Sequence, residues 1–220
     1  MVNSTDKTRV TSSARTRDRE ATRARLIEAV GTLLARKGFT AVGVNALAKE
    51  AGVDKVLIYR YFGGLQELIA AFGRESNFWP SVEELAGGDI ETFIPLPLAE
   101  SAARLAVNYL NAIRKRPLTQ EILAWEMVDH NELTADLETM REITNRKMLE
   151  MLRPLDDKEL DVEAFSAIIG ATVNYLVTRS RKIRVFSGID LGTEEGWRRM
   201  ERTLIIMISR VLGASSDREK

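Results

Sequence analysis

The chain has 220 residues, enough for one large domain, or a small and a medium one, around a sizeable core. Its 32 Lys and Arg balance 32 Asp and Glu, but unevenly: residues 1–65 hold 12 cationic against 6 acidic side chains, and the remaining 155 hold 20 against 26. The absence of cysteine excludes disulfides and thiolate chemistry, and no apolar run reaches membrane-spanning or signal-segment length, so a cytoplasmic protein is expected, its basic N-terminal third meeting any polyanion.

Residues 1–19 are polar and rich in Ser, Thr and Arg, and read as a flexible basic arm. Arg9, Arg15, Arg17 and Arg19 either track phosphates or belong to a solvated tail. A first helix is predicted over 20–37, where Leu26, Val30 and Leu33 with Ile27 and Leu34 form one stripe and Lys37-Gly38 a stop. Phe39 should plug the core beneath it.

Val44, Leu47, Ala48 and Ala51 then recur at helical spacing, Gly52-Val53 interrupts, and a second short helix follows from Asp54, whose carboxylate suits an N-cap. Two helices joined by a tight glycine-containing turn make a helix-turn-helix. Ile58 and Phe62 share the inward face of the second helix; Val56 and Arg60 lie opposite, with Leu57 and Tyr59 flanking. An outward face mixing a cation, a phenol and aliphatics suits a major groove: arginine can bond guanine or phosphate, tyrosine can reach phosphate, and aliphatics can touch thymine methyls.

The run from Gly38-Phe39-Thr40 through Leu47-Ala48, Ala51-Gly52-Val53 and Ile58-Tyr59-Arg60-Tyr61-Phe62 to Leu68 resembles the N-terminal DNA-binding domain of TetR-type transcriptional regulators. That resemblance covers about a quarter of the chain and implies DNA contacts by Lys55, Val56, Leu57, Tyr59 and Tyr61. The sequence departs from the family pattern in three places: Gly43 where Ser or Thr is common, Val56-Leu57 where Gly and Thr are usual, and Gly64-Leu65 in place of Ser-Lys. They imply a different base preference and fewer phosphate contacts.

Gly63-Gly64 turns the chain into a fourth helix over 65–76, the expected connector to the rest. Residues 78–97 are broken by Pro80, Gly87-Gly88, Pro95 and Pro97, leaving room for a short helix over 81–85. A helix over 98–116 should stop at Pro117, another should begin near Thr119 as cap and run to Val128, and a longer one should span 133–152, ended by Pro154. Asp156, Asp157, Glu159 and Asp161 read as a solvated acidic loop lacking the Ca²⁺-loop pattern, and no β-strand pattern competes anywhere.

The last two helices carry a second signal. Residues 164–177 hold no charge, and Trp197, Met200, Leu204, Met207 or Ile208, and Val211 repeat at near-heptad spacing along the final helix. Helices apolar around most of their girth must be covered on more than one side. Phe165, Ile169, Val173 and Leu176 with the final-helix series are therefore the candidate dimer interface, a four-helix seam that the resemblance also implies; the alternative is a pair of central helices in a monomer.

The fold class expected is all-α, with an arm over 1–19, a helix-turn-helix domain over 20–64 and a helical effector-binding and dimerisation domain over 65–220. Candidate pocket residues in the last are the aromatics and methionine Trp79, Phe93, Tyr109, Trp125, Met140 and Tyr175, with Asn108, Glu126 and Asn174 as polar partners. The same side chains serve equally as core, and His130 reads as a helix-end residue. With one His, no nucleophile motif, no phosphate loop and no metal-ligand cluster, an enzyme is disfavoured, and neither cofactor nor metal is expected. By resemblance, the chain is a homodimeric repressor of a palindromic DNA operator released by a small, largely apolar effector. The alternative is a ligand-independent regulator whose second domain serves only dimerisation.

Overall fold

The computed structural model describes residues 6–128, 132–152 and 160–216. His130, Asp156, Asp157 and Glu159 lie outside the described residues. The regular structure of the described residues is α-helical apart from a 3-10 turn over Phe39–Ala41 and one small hairpin, and the chain divides into two compact units. The first holds the residues up to Ser76 and the start of the ninth helix through Leu137; the second holds Asn77–Met127 and the residues from Glu138 onward. The first unit thus takes in the fourth helix, beyond the boundary at 64 expected from sequence.

In the first unit, α1 (Asp6–Lys37) is one helix of 32 residues, so residues 6–19 continue it instead of forming a flexible arm. Residues 16–21 are exposed and packing starts at Thr22, which is why apolar periodicity marks only the later part. Leu26, Val30, Leu33 and Leu34 of α1 are buried with Phe39. Onto this stripe pack α2 (Val44–Ala51), through Leu47 and Ala48, and α4 (Leu65–Glu75), through Leu68, Ile69 and Phe72. Between them α3 (Val56–Phe62) seats Ile58, fully buried, and packs on α4. Each such aliphatic or aromatic side chain contributes about 1.5–3 kcal/mol on burial. The exposed Arg36–Glu50 pair at 2.6 Å, joining α1 to α2, adds under about 1 kcal/mol.

In the second unit, short helices α5 (Val82–Ala86) and α6 (Ile90–Phe93) precede α7 (Leu98–Arg114), α8 (Pro117–Glu126), α9 (Glu132–Met151), α10 (Val162–Ser180) and α11 (Glu194–Ser216). Ser81 and Asp89 cap α5 and α6 with their side chains, accepting from Glu84 N–H and from Glu91 and Thr92 N–H. The predicted cap at Thr119 is absent. Pro117 occupies the first turn of α8, where a missing N–H costs nothing, and Thr119 is buried, donating its hydroxyl to the Phe78 carbonyl.

Helix α7 is the hub. One side packs Leu110 and Ile113 with Leu123 of α8, Val173, Leu176 and Val177 of α10, and Trp197, Leu204, Ile208 and Leu212 of α11. Its other side packs Leu105 and Ala112 with Leu85, Ala86, Phe93 and Met148.

Between α10 and α11 lies an antiparallel hairpin, β1 (Val185–Phe186) and β2 (Ile189–Asp190), pairing Val185 with Asp190 and Phe186 with Ile189. Its two-residue turn, Ser187-Gly188, has positive φ at both positions, 48° and 78°, matching the twist of paired strands. Arg184 closes the hairpin with two hydrogen bonds to the Asp190 carboxylate, each 2.7 Å. The start of α11 is pressed against it: a Cβ on Gly196 would overlap the Asp190 carbonyl. Gly196→Ala is expected to destabilise the protein by about 1–3 kcal/mol through overpacking, read as a lower urea midpoint at unchanged slope.

Candidate nucleic-acid interface and an inner cavity

The turn of the helix-turn-helix depends on one backbone conformation. Gly52 ends α2 with φ 63° and ψ 40°, a left-handed geometry cheap for glycine, and Val53 N–H then donates to the Ala48 carbonyl at 3.0 Å. The reversed chain enters α3 at Asp54, whose Oδ1 accepts the Val56 N–H at 2.8 Å. Asp54→Ala is expected to cost about 1 kcal/mol by loss of this cap, measured by denaturant unfolding.

Once α3 is anchored through Ile58, its register decides what faces out. Val56 is 60 % exposed and Tyr59 56 %, with Lys55 and Arg60 also exposed and Leu57 and Tyr61 half-buried. An aliphatic and a phenol held in water beside two cations is an arrangement a solvated face does not need. Arg19 lies over the Tyr61 ring, 5.5 Å to its centroid, and Arg23 lies over Phe62 at 5.0 Å while ion-paired to Glu75. Glu75 is held below the ordinary carboxylate range by this hydrogen bond with Arg23. Sequence reasoning placed Arg19 in an arm and missed that helical continuity carries it to Tyr61.

The second unit holds a cavity of about 530 Å³, partly open to solvent and walled by α7, α9, α10 and α11 with Trp79. Of the candidate pocket residues, Trp79, Tyr109 and Asn174 line it. Tyr109 donates its hydroxyl to Asn174 Oδ1 at 2.6 Å, and burial pushes the phenol far above its usual range, so it stays protonated. The other candidates lie elsewhere. Phe93 is buried in the second cluster, and Asn108 donates to the Leu85 carbonyl at 2.8 Å. Trp125 and Met140 are half-buried away from the walls, and Glu126 pairs with Arg141 at 2.8 Å. Tyr175 is exposed, edge-on to Phe186 and accepting from Arg179 at 3.0 Å. Arg141, Glu142 and Met148 line the cavity without having been singled out for it. Their α9 positions carry no sign of a cavity in the sequence.

The candidate dimer residues are also redistributed. Val173, Leu176, Trp197, Leu204 and Ile208 are buried in the protomer's own core, with Phe165, Ile169 and Met200 packed against it, and Phe165, Ile169 and Ile208 line the cavity as well. The near-heptad stripe faces inward because α7 and α10 already cover it. Val211 alone of the set is exposed, beside Ile205, Ile206 and Met207, while α10 exposes Ile168 and Tyr175. Among the described residues no helix is long and apolar enough to cross a membrane.

A three-helix head whose α3 offers an exposed aliphatic, phenolic and cationic face defines a DNA-binding protein of the helix-turn-helix class. Residues 26–72 match the family of bacterial regulatory proteins described as the tetR family. Over 185 residues, 81 % of this chain and 90 % of the relative, it is 26 % identical to the HTH-type transcriptional repressor SCO4008 of Streptomyces coelicolor. The fold is shared with the transcriptional regulator FadR of Bacillus subtilis, solved with stearoyl-CoA (TM-score 0.61, 17 % identity, 84 % of this chain and 96 % of that one). It is shared also with NalD, the secondary repressor of the MexAB-OprM multidrug efflux pump in Pseudomonas aeruginosa (TM-score 0.60, 15 % identity, 90 % and 97 %). Residues 26–72 thus carry the DNA-binding head of the tetR family of bacterial regulatory proteins, and the relatives that match this chain over most of its length are named as transcription regulators.

Proposed function

We propose that the chain is a cytoplasmic repressor that binds an approximately palindromic DNA operator as a homodimer and is released by a small, largely apolar effector held in the inner cavity. The observation that carries the DNA half is the solvent-facing side of α3, where Lys55, Val56, Tyr59 and Arg60 are exposed while Ile58 fixes the helix from behind. One such head makes too few base contacts for useful selectivity, and a twofold pair reads two half-sites about a helical turn or a multiple apart. The exposed apolar residues of α10 and α11, Ile168, Tyr175, Ile206, Met207 and Val211, support the pairing.

The effector half rests on the cavity, whose about 530 Å³ and mostly apolar walls fall in the range of small-molecule sites. An effector releases DNA only if it binds the DNA-incompetent state more tightly. Repression agrees with the names of SCO4008 and NalD. The test is selection from random DNA followed by footprinting and sedimentation of the complex. Two inverted half-sites held by two protomers are expected; a single half-site held by one protomer would overturn the proposal.

A further inference from the structure

Two arginines one turn apart on α1 rest on consecutive rings of α3, and their charges meet different surroundings. Arg23 lies over Phe62, half-buried, and its guanidinium donates to both carboxylate oxygens of Glu75 on α4. That charge is compensated within the head, and the side chain ties α1 to α3 and α4. Arg19 lies over Tyr61, 5.5 Å from the ring centroid, is exposed, and has no ion pair among the described residues. Its sequence neighbours Asp18 and Glu20 project from other sides of the helix. An exposed arginine is ordinarily a mobile cation; a ring beneath it fixes the guanidinium plane and leaves the N–H edge free. Such an edge fits a phosphate, two N–H groups against two oxygens.

The place suits that ligand. Leu57 and Tyr61, four residues apart and both half-buried, share one flank of α3, next to the exposed Arg60. A helix seated in a major groove has a phosphate strand along each flank. The turn that leaves this flank brings no cation of its own: residues 63–66 are uncharged, and the first charged residue, Glu67, is folded back against Gly63 and Gly64. A phosphate there would meet a carboxylate and the negative end of α3 unless α1 supplied a positive charge. We propose, on the reading of the exposed side of α3 as the DNA-contacting surface, that Arg19 is a further DNA contact, a phosphate clamp oriented by Tyr61, and that Arg23 holds the head together without touching DNA.

The test titrates the full-length protein, by fluorescence anisotropy, onto a labelled duplex recovered by selection from random DNA, at salt concentrations from about 50 to about 200 mM. Arg19→Ala should lower the slope of log affinity against log salt by about 0.9 for each protomer bound and leave sequence preference and thermal midpoint in place. Arg19→Lys, which keeps the charge and loses the flat edge, should restore the slope without the full affinity. Arg23→Ala should do the opposite of Arg19→Ala, lowering the thermal midpoint at an unchanged slope. The orienting role has its own readout: in a Tyr61→Leu background, Arg19→Ala should cost less affinity than it does in the parent. A parental slope for Arg19→Ala, or an equal slope loss for Arg23→Ala, would overturn the clamp. Parental affinity for Arg19→Lys, or an undiminished cost of Arg19→Ala beside Tyr61→Leu, would overturn its orientation by the ring. Selection that recovers no duplex, or Tyr59→Ala and Arg60→Ala variants that bind at full strength, would instead overturn the reading of α3, and the clamp with it.

Discussion

Replacing Leu204 by glutamate is expected to unfold the second unit, whereas the same change three residues on, at Met207, leaves it folded. Both residues sit on α11, and near-heptad spacing made them look alike. Leu204 is 8 % exposed and packs with Leu110, Ile113, Leu176 and Trp197, so a carboxylate there would be buried among hydrocarbon with no partner. That costs on the order of 4 kcal/mol or more, including the lost packing, against a total stability of roughly 5–15 kcal/mol. Met207 is 54 % exposed, so in an isolated protomer Met207→Glu should change stability by less than about 0.5 kcal/mol. If the exposed α11 face joins two copies, Met207→Glu moves the sedimentation coefficient to that of a monomer while circular dichroism and the thermal midpoint of the protomer stay put. A folded Leu204→Glu protein with an unchanged midpoint would contradict the core placement; a dimeric Met207→Glu protein would move the pairing surface off α11.

That contrast marks where sequence reasoning stopped. In the first unit, the stripe Leu26, Val30, Leu33 and Leu34, the interruption at Gly52-Val53 and the Ile58–Phe62 spacing fixed the helices and the outward side of α3, because each short helix there has a single apolar face. In α10 and α11 apolar residues surround most of the girth, and periodicity says that a face is covered without saying by what. Leu204 and Ile208 are covered by α7 and α10, while Ile206 and Met207 stay out. The cavity was partly legible for the same reason. Trp79, Tyr109 and Asn174 reach it, but Phe93, an equally plausible aromatic, fills the second cluster, since a cavity is defined by the side chains that withdraw from a space. The pairing of Arg141 with Glu126 joins residues 15 positions apart across a break between helices, which no local pattern encodes. The hairpin escaped because strands of two residues are too short for a period-two signal, leaving Ser187-Gly188 as the only cue. The extension of α1 escaped because residues 16–21 are exposed and have no apolar face to read.

Tyr59→Ala should leave the protein as stable as before and weaken operator binding severely, and the neighbouring change Ile58→Ala should do the reverse in sequence of cause. Tyr59 turns 56 % of its surface to solvent, so its removal opens no cavity, and stability should stay within about 0.5 kcal/mol. A lost base or phosphate contact is worth about 1–3 kcal/mol, and in a twofold complex both heads lose it, so the affinity should fall by roughly 10²-fold or more. Ile58 is fully buried, and its truncation should cost about 2–5 kcal/mol of stability, with DNA binding lost only as the head unfolds. Gel shifts beside thermal unfolding separate the two routes. Salt dependence sorts the rest of the face: Lys55→Ala should lower the slope of log affinity against log salt by about 1 per phosphate contact, and Val56→Ala should leave the slope alone while relaxing sequence preference. Tyr59→Ala binding its operator at full strength would remove the exposed side of α3 as the reading surface and leave it an ordinary solvated face.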